Sequence, residues 1–157
     1  SSDRPIQAGE PIVMDLGARV DGYCSDLTRT FCLGEPSDAR YLEVWNIVFK
    51  AQQAARAAIR PGMPGKEADA VARQVITEAG YGEFFGHGLG HGVGLAIHEK
   101  PGAGRLSEDT LLPGAVITIE PGIYLPGWGG VRIEDIVVMR EDGVEVLTQA
   151  SKEPIFT

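Results

Sequence analysis

Apolar positions near the start of the chain predict two β-strands, Ile12–Met14 and Tyr23–Leu33. Asp21-Gly22 lies between them and is the strongest short-range signal for a hairpin with a two-residue turn. Gly34-Glu35-Pro36 then ends the second strand. The first part of the chain is therefore predicted to fold as an antiparallel hairpin.

Two amphipathic helices are predicted to follow this hairpin. The first begins after Ser37, a favourable N-terminal cap, and extends to Arg60, where Pro61-Gly62 breaks it. The second covers Lys66–Ala79 and stops at Gly80. Apolar residues recur at steps of three or four in both segments, which indicates one buried face on each helix.

The last third of the chain returns to strands, predicted at Ala115–Glu120, Gly130–Met139 and Val144–Leu147. Strands and helices are thus segregated along the sequence. This order favours an α+β fold in which helices pack on one face of an antiparallel sheet. A length of 157 residues corresponds to one domain, so residues 1–157 are expected to form a single domain.

The composition narrows the classes of function. Lys and Arg number 14 against 22 Asp and Glu, which gives a formal net charge of −8, whereas a nucleic-acid-binding protein is expected to be basic. No apolar run approaches the roughly 18 residues of a membrane span. Cys24 and Cys32 would lie too far apart on one strand to form a disulfide, which favours a reduced, cytoplasmic protein. Neither a nucleic acid nor a membrane is therefore expected as a partner.

Two carboxylates are predicted to share one face of the first hairpin. With Asp21-Gly22 as the turn, Asp15 pairs with Thr28. Gly17 then pairs with Asp26, and Asp15 and Asp26 become diagonal neighbours about 7–8 Å apart at their Cα atoms. Two such carboxylates on a packed face are costly unless a cation lies between them. The alternative is that both face water, because an antiparallel sheet often has one solvated face.

All three histidines, His87, His91 and His98, fall within twelve residues that are rich in glycine. Glycine permits close approach of the backbone to a ligand. Histidine is the commonest metal ligand and also a general acid or base near neutral pH. A flexible surface loop is the alternative, but Leu89 and Val93 are unusually apolar for one. The stretch alone does not assign a role to each histidine.

The last predicted hairpin carries two more carboxylates, Glu120 and Glu134, at the polar positions of strands in which polar and apolar residues alternate. An odd-length loop through Pro126-Gly127-Trp128 would bring both to the same face. The alternative is a solvated strand on which Arg132 and Glu134 form an ordinary surface pair.

The two hairpins and the histidine stretch together supply four carboxylates and an imidazole. Two divalent cations would balance that negative charge, and this donor set suits Mn²⁺, Co²⁺, Fe²⁺ or Zn²⁺. A structural zinc site is not expected, because the cysteines do not have its spacing. Two metals that share carboxylates lower the pKa of a water between them and supply hydroxide near neutral pH, which is the chemistry of hydrolysis.

Four motifs occur in order and span almost the whole chain. They are Asp15-Leu16-Gly17 with Gly22-Tyr23-Cys24-Ser25-Asp26-Leu27-Thr28-Arg29-Thr30, His87-Gly88-Leu89-Gly90-His91 with His98-Glu99-Lys100-Pro101, Thr118-Ile119-Glu120-Pro121-Gly122, and Gly130-Val131-Arg132-Ile133-Glu134-Asp135. Together they resemble the signatures of the pita-bread metallopeptidases. Ile123-Tyr124 and the last motif are more similar to the Xaa-Pro aminopeptidase and prolidase branch than to methionine aminopeptidase.

The resemblance implies two divalent metal ions, with Mn²⁺ expected first and Co²⁺, Zn²⁺ or Fe²⁺ as alternatives. Asp15 would bind one metal. Asp26 and Glu134 would bridge both metals. His91 and Glu120 would bind the other metal.

The resemblance also implies roles in catalysis. Glu120 would handle the proton of the attacking water, and His98 would steady the substrate carbonyl or the tetrahedral intermediate. His87 would line the pocket for the residue after the scissile bond. Arg132 would order the site beside Glu134.

The implied fold is the α+β pita-bread (creatinase/aminopeptidase-like) fold, a curved antiparallel sheet with helices on its outer face. In this family the catalytic domain begins well before the first Asp motif, and a separate N-terminal domain helps to form dimers. This sequence opens at Ser1-Ser2 without Met and carries no upstream part, so we expect a partial catalytic domain that lacks the first part of the fold.

The implied activity is hydrolysis of the peptide bond before proline by a metal-bridging hydroxide, as in an Xaa-Pro aminopeptidase or Xaa-Pro dipeptidase. The expected substrates are peptides with proline after the scissile bond, and the full-length protein is expected to be a homodimer. The alternatives are a methionine aminopeptidase and a fragment that binds metal without catalysis.

Overall fold

The computed structural model describes residues 3–157, so Ser1 and Ser2 of the expected 1–157 domain lie outside the described residues. The helices are α1 (Arg40–Ala58) and α2 (Gly65–Glu78), followed by a 3₁₀ turn at Gly82–Phe84. The strands are β1 (Ile12–Leu16), β2 (Arg19–Val20), β3 (Tyr23–Cys24), β4 (Leu27–Leu33), β5 (Gly90–Gly92), β6 (Glu99–Ala103), β7 (Val116–Ile119), β8 (Gly122–Leu125), β9 (Gly129–Arg132), β10 (Asp135–Arg140), β11 (Gly143–Val146) and β12 (Ile155–Phe156).

The strands between residues 3 and 157 form one large sheet and three smaller ones. The large sheet has the order β11-β10-β7-β5-β6, and its pairs are antiparallel. A second sheet has the order β1-β4-β12, in which β12 runs parallel to β4. Two hairpins interrupt these sheets along the chain: β2-β3 lies between β1 and β4, and β8-β9 lies between β7 and β10.

Both helices pack against strands and enclose the hydrophobic core. Helix α1 contacts β7, β9 and β11, and α2 contacts β6 and α1. Val44 and Val48 of α1, Ile76 of α2 and Ile117 of β7 are fully buried in this layer. The predicted α+β arrangement, with helices against an antiparallel sheet, is therefore present.

The first hairpin has the predicted register. Asp15 pairs with Thr28, Val20 pairs with Tyr23, and the turn residues Asp21 and Gly22 have φ angles of 51° and 90°. The second strand, predicted as continuous, is interrupted between β3 and β4. The reason is local, because the hydroxyl of Ser25 accepts the Ala18 N–H, at 3.0 Å, where a backbone carbonyl would continue the ladder.

Helix α1 begins later than predicted, and the prediction of Ser37 as its cap was wrong. Ala39 occupies the cap position without a side-chain hydrogen bond. The Ser37 hydroxyl instead donates to Gly9 O at 3.1 Å, so it is used in a contact with the preceding turn. Asp38 Oδ1 accepts the Arg40 N–H at 2.8 Å and satisfies one of the first helical donors.

The last hairpin contains the predicted odd-length loop. Leu125 pairs with Gly129 across the three residues Pro126–Trp128. The strand predicted over Gly130–Met139 is divided, since β9 pairs with β8 whereas β10 pairs with β7. Glu120 and Glu134 fall at the two points where the chain passes between these pairings. The sheets thus break where the candidate ligands lie.

Cys24 and Cys32 are both free thiols. Within residues 3–157, no helix combines the length and the apolar character needed to cross a bilayer.

Candidate metal centre

Three side chains from different parts of the fold converge on one point. Asp26 lies between β3 and β4, His91 lies on β5, and Glu134 lies between β9 and β10. One ligand atom from each of them lies within 4.8 Å of the others. The structure therefore brings together one carboxylate from each hairpin and the central histidine.

Glu120, which follows β7, joins this group through His91. Its Oε1 lies 3.1 Å from His91 Nε2, and Asp26 Oδ2 lies 3.7 Å from the same nitrogen. Thr118 holds both sides of the contact, because its hydroxyl donates to Glu120 Oε1 at 2.8 Å and accepts the His91 N–H at 3.0 Å.

The backbone fixes which nitrogen of His91 faces the carboxylates. Nδ1 lies 3.0 Å from Gly92 O, which only accepts hydrogen bonds, so Nδ1 carries a proton. The neutral ring then presents the lone pair of Nε2 to Asp26 and Glu120. A lone pair that faces carboxylate oxygens is favourable only with a cation or a proton between them, so this geometry fits a metal ligand.

A main-chain contact sets the distance between β5 and β7 at this point. A Cβ atom on Gly90 would lie 2.0 Å from Thr118 O. Because real Cβ atoms do not approach a carbonyl oxygen so closely, only glycine allows His91 and Glu120 to lie on strands this near to each other.

The carboxylates of the group perturb one another. Glu134 is 2% exposed, and burial together with the charges of Glu120, Asp26 and Asp15 raises its pKa to about 7, although Thr28 donates to its Oε2 at 2.6 Å. Burial and the charge of Asp15 also raise the pKa of Asp26. Excess negative charge at this depth is the condition under which bound cations are stabilising.

His91 and Glu120 each shift the pKa of the other. Burial would lower the pKa of His91, but its contacts with Glu120, Gly92 and Asp26 raise the pKa overall. Burial would raise the pKa of Glu120, but hydrogen bonds from His91 and Thr118 lower it overall. In the metal-free chain these two groups therefore favour a proton held between them.

Asp15 lies apart from the convergent group. Its side chain is 53% exposed, and Oδ2 forms an ion pair with Arg132 Nη2. Arg132 also donates from Nε to Thr28 Oγ1 at 3.1 Å and from Nη1 to the Tyr124 hydroxyl at 2.7 Å. Arg132 thus reaches Glu134 through Thr28, while the sequence-based role of Asp15 as a ligand stays a prediction.

A cavity of about 350 Å³ opens beside the group. Its wall is formed by the side chains and backbone of His87, Gly88, Gly90, His91, His98, Glu120 and Arg132. The His98 ring centroid lies 4.1 Å from that of His91. All three histidines, Glu120 and Arg132 thus face one space that is large enough for part of a small peptide.

His87 is held in the cavity wall by two hydrogen bonds. Its Nδ1 lies 2.8 Å from Gly88 O and must donate to it, so the neutral ring accepts the Tyr124 hydroxyl at Nε2, 3.1 Å away. Tyr124 in turn accepts from Arg132. A continuous chain of hydrogen bonds therefore connects His87 to Arg132.

A buried network of hydrogen bonds and ion pairs holds the backbone at Glu134. Arg29 donates from Nη1 to Glu134 O and pairs with Asp135 Oδ1 at 2.8 Å. Asp135 is fully buried and also contacts Lys152 Nζ at 2.9 Å and Gln52 Nε2 at 2.8 Å. Because each buried charge here has partners, the network fixes the backbone that carries Glu134.

Sequence reasoning gave no role to Thr28, Thr118 or Tyr124, although each contacts a candidate site residue. A signal existed for the two threonines. Thr28 is two residues after Asp26, and Thr118 is two residues before Glu120. On a strand this spacing places each hydroxyl on the same face as the neighbouring carboxylate.

Carboxylate oxygens and one imidazole, at the edge of a cavity that carries two further histidines, are a donor set of the kind that metal-dependent hydrolases use. The chain belongs to metallopeptidase family M24, whose family model matches residues 1–141. Membership of this family implies divalent metal ions.

Similar proteins match nearly the whole of this chain, which covers less than half of each of them. The Xaa-Pro dipeptidase of Pyrococcus furiosus is 50% identical over 153 residues, which make up 98% of this chain and 44% of that protein. The structure of the Xaa-Pro dipeptidase from Bacillus anthracis superposes with a TM-score of 0.94 at 51% identity, over 98% of this chain and 43% of that one. The X-Pro aminopeptidase from Thermotoga maritima gives a TM-score of 0.94 at 47% identity, over 99% of this chain and 44% of that one.

The pita-bread α+β fold expected from the sequence is thereby confirmed. The chain spans less than half the length of each of these relatives.

Proposed function

We propose that residues 1–157 form a single, partial catalytic domain of a metallopeptidase that hydrolyses the peptide bond before proline. The observation that carries this proposal is the convergence of Asp26, His91 and Glu134 within 4.8 Å, with Glu120 3.1 Å from His91, beside the histidine-lined cavity. Oxygen donors with one imidazole suit a pair of hard or borderline divalent ions.

The proposed ligands follow the two hairpins. Asp26 and Glu134, which meet from opposite hairpins, would both be shared by the two ions, as the family resemblance implies. His91 and Glu120 would help to hold one of the ions, and Asp15 would help to hold the other. Two divalent ions that share carboxylates lower the pKa of a water between them and so supply hydroxide near neutral pH.

The remaining roles belong to the side chains that line the cavity. Glu120 takes up the proton of the attacking water. His98, which is exposed to the cavity next to His91, steadies the charge that develops on the scissile carbonyl. His87 contacts the residue after the scissile bond. Arg132 keeps Glu134 in place through Thr28.

The proposed substrates are peptides with proline after the scissile bond. Support comes from the similar proteins, two of which are Xaa-Pro dipeptidases and one of which is an X-Pro aminopeptidase. We further propose Mn²⁺ as the preferred metal, with Co²⁺, Zn²⁺ or Fe²⁺ as alternatives, a cytoplasmic location and a homodimer for the full-length protein. The donor set supports the choice of metal, because Mn²⁺ favours oxygen ligands.

One assay separates this function from the alternatives. The chain is supplied with Mn²⁺ and given an Xaa-Pro peptide and a Met-Ala peptide in parallel, with a chelator as the control. Cleavage of the Xaa-Pro peptide alone supports the proposal, and cleavage of Met-Ala alone indicates a methionine aminopeptidase. Bound metal without cleavage of either peptide indicates a metal-binding fragment without catalysis.

A further inference from the structure

Helix α2 carries a buried ion pair on the side that faces the histidine stretch. Arg73 and Asp69 lie one turn apart and form two hydrogen bonds, from Nε to Oδ2 at 2.7 Å and from Nη2 to Oδ1 at 2.9 Å. Asp69 is 1% exposed. A buried pair of this kind is stabilising only when its remaining donors and acceptors are also satisfied.

Those remaining donors and acceptors go to the backbone before His91. Arg73 donates to Phe85 O and to His87 O, both at 2.7 Å, and Asp69 Oδ1 accepts the Leu89 N–H at 3.0 Å. The Arg73 guanidinium also lies over the Phe85 ring, 4.0 Å from its centroid. The pair therefore holds every second residue of one loop, namely Phe85, His87 and Leu89.

His91 is held by different partners. Its N–H donates to Thr118, and the adjacent Gly92 pairs with Ile117 in the large sheet. The ring of His87, in contrast, extends from backbone that is bonded to Arg73. The backbone that carries each histidine is thus held by a separate element, that of His91 by the sheet and that of His87 by α2, and the His87 ring then reaches Gly88 O and Tyr124 from this backbone.

We propose that Asp69 and Arg73 are positioning residues that set the His87 ring against the cavity. Helix α2 thereby adjusts the wall that meets the residue after the scissile bond. The statement about substrate rests on the proposed function, whereas the statement about His87 rests on geometry alone.

The test compares Arg73→Lys with Gln74→Lys. Lysine keeps the positive charge beside Asp69 but lacks the planar fork that reaches two carbonyls. Gln74 is the next residue on the same helix. Among the described residues, its side-chain amide hydrogen-bonds only to Glu78. Gln74→Lys therefore controls for an added lysine on α2 away from the histidine stretch.

The first readout does not depend on activity. In Arg73→Lys, the ¹⁵N shifts of the His87 ring should move and the Leu89 amide should exchange faster, while the His91 ring shifts and the content of divalent metal stay as in the parent chain. Gln74→Lys should change none of these. Unchanged His87 shifts in Arg73→Lys, or equal changes at His87 and His91, would overturn the proposal.

The second readout is a double-mutant cycle with His87→Ala on an Xaa-Pro peptide. Arg73→Lys should lower kcat/KM by about 10- to 100-fold, the range expected when a contacting group is displaced by about 1 Å. In the His87→Ala background it should cause little further loss, because both changes remove the same contact. Equal losses in both backgrounds would show that Arg73 acts only on general stability.

Two outcomes are kept separate by this design. If the parent chain cleaves no Xaa-Pro peptide, the proposed function fails while the His87 shifts still decide the positioning role. If Arg73→Lys does not fold, Asp69→Asn replaces it, since asparagine keeps an acceptor for Leu89 N–H and loses the charge opposite Arg73. The same change at His87, with His91 unaffected, is then expected.

Discussion

Glu134 makes the stability of the metal-free chain depend on pH in an unusual direction. Burial and the neighbouring carboxylates raise its pKa from 4.5 to about 7, so the folded state favours the protonated side chain. A group with a raised pKa contributes stability that is complete below its unfolded value and is lost as pH rises through its folded value. The metal-free chain should therefore lose stability between about pH 5 and pH 8.

The magnitude follows from the size of the shift. At 1.36 kcal/mol per unit, a rise from 4.5 to about 7 corresponds to at most about 3 kcal/mol. Asp26 and His91 also have raised pKa values and act in the same direction. Glu120 has a lowered pKa, and its contribution changes only below its ordinary value of 4.5, outside this window.

The assay is urea unfolding at pH 5 and pH 8 in the presence of a chelator, for the parent chain and for Glu134→Gln. Glutamine keeps the shape of the side chain but does not titrate. The variant should match the parent chain near pH 5 and exceed it at pH 8 by up to about 3 kcal/mol. A parent chain that gains stability from pH 5 to pH 8, or a variant with the same pH dependence, would refute this reasoning.

Three further predictions concern the site with divalent metal ions bound. Calorimetry should find about two divalent ions per chain, and Asp26→Ala should lose both, so retention of two tight ions would exclude a bridging role. His98→Ala should keep the metal and lower kcat by roughly 10²–10³, whereas His91→Ala should lose one ion; the reverse result would mean that the two histidines are exchanged. Activity and metal occupancy should fall together on acidification, and full activity with bound metal well below about pH 5 would contradict that linkage.

The sequence predicts those parts of the site that depend on local pairing. A two-residue turn at Asp21-Gly22 determines the whole register of the first hairpin, so the pairing of Asp15 with Thr28 follows from it. The odd-length loop before Gly129 similarly aligns the last hairpin. In both cases one short turn decides which side chains share a face.

The contacts that complete the site depend on residues far apart in sequence and were not predicted. Thr28 bonds to Glu134 across 106 positions, and neither residue's local pattern indicates the other. The short strand Glu99–Ala103 contains proline and glycine and shows no alternation, so it gave no strand signal. Asp69 and Arg73 have the i,i+4 spacing of an ordinary surface pair, and this local pattern does not indicate their burial against the histidine stretch.

The contact between Gly90 and Thr118 O has a consequence for which sequences this centre can tolerate. Two opposing main chains set the gap between His91 and Glu120, so no choice of rotamer in the neighbouring side chains can restore it once it widens. Even one added methyl group at Gly90 must move a whole strand. Gly86, in the same stretch, has no atom within 4 Å of a new Cβ and is free to vary. Substitution is thus open at Gly86, whereas Gly90 can change only together with the strands that carry His91 and precede Glu120.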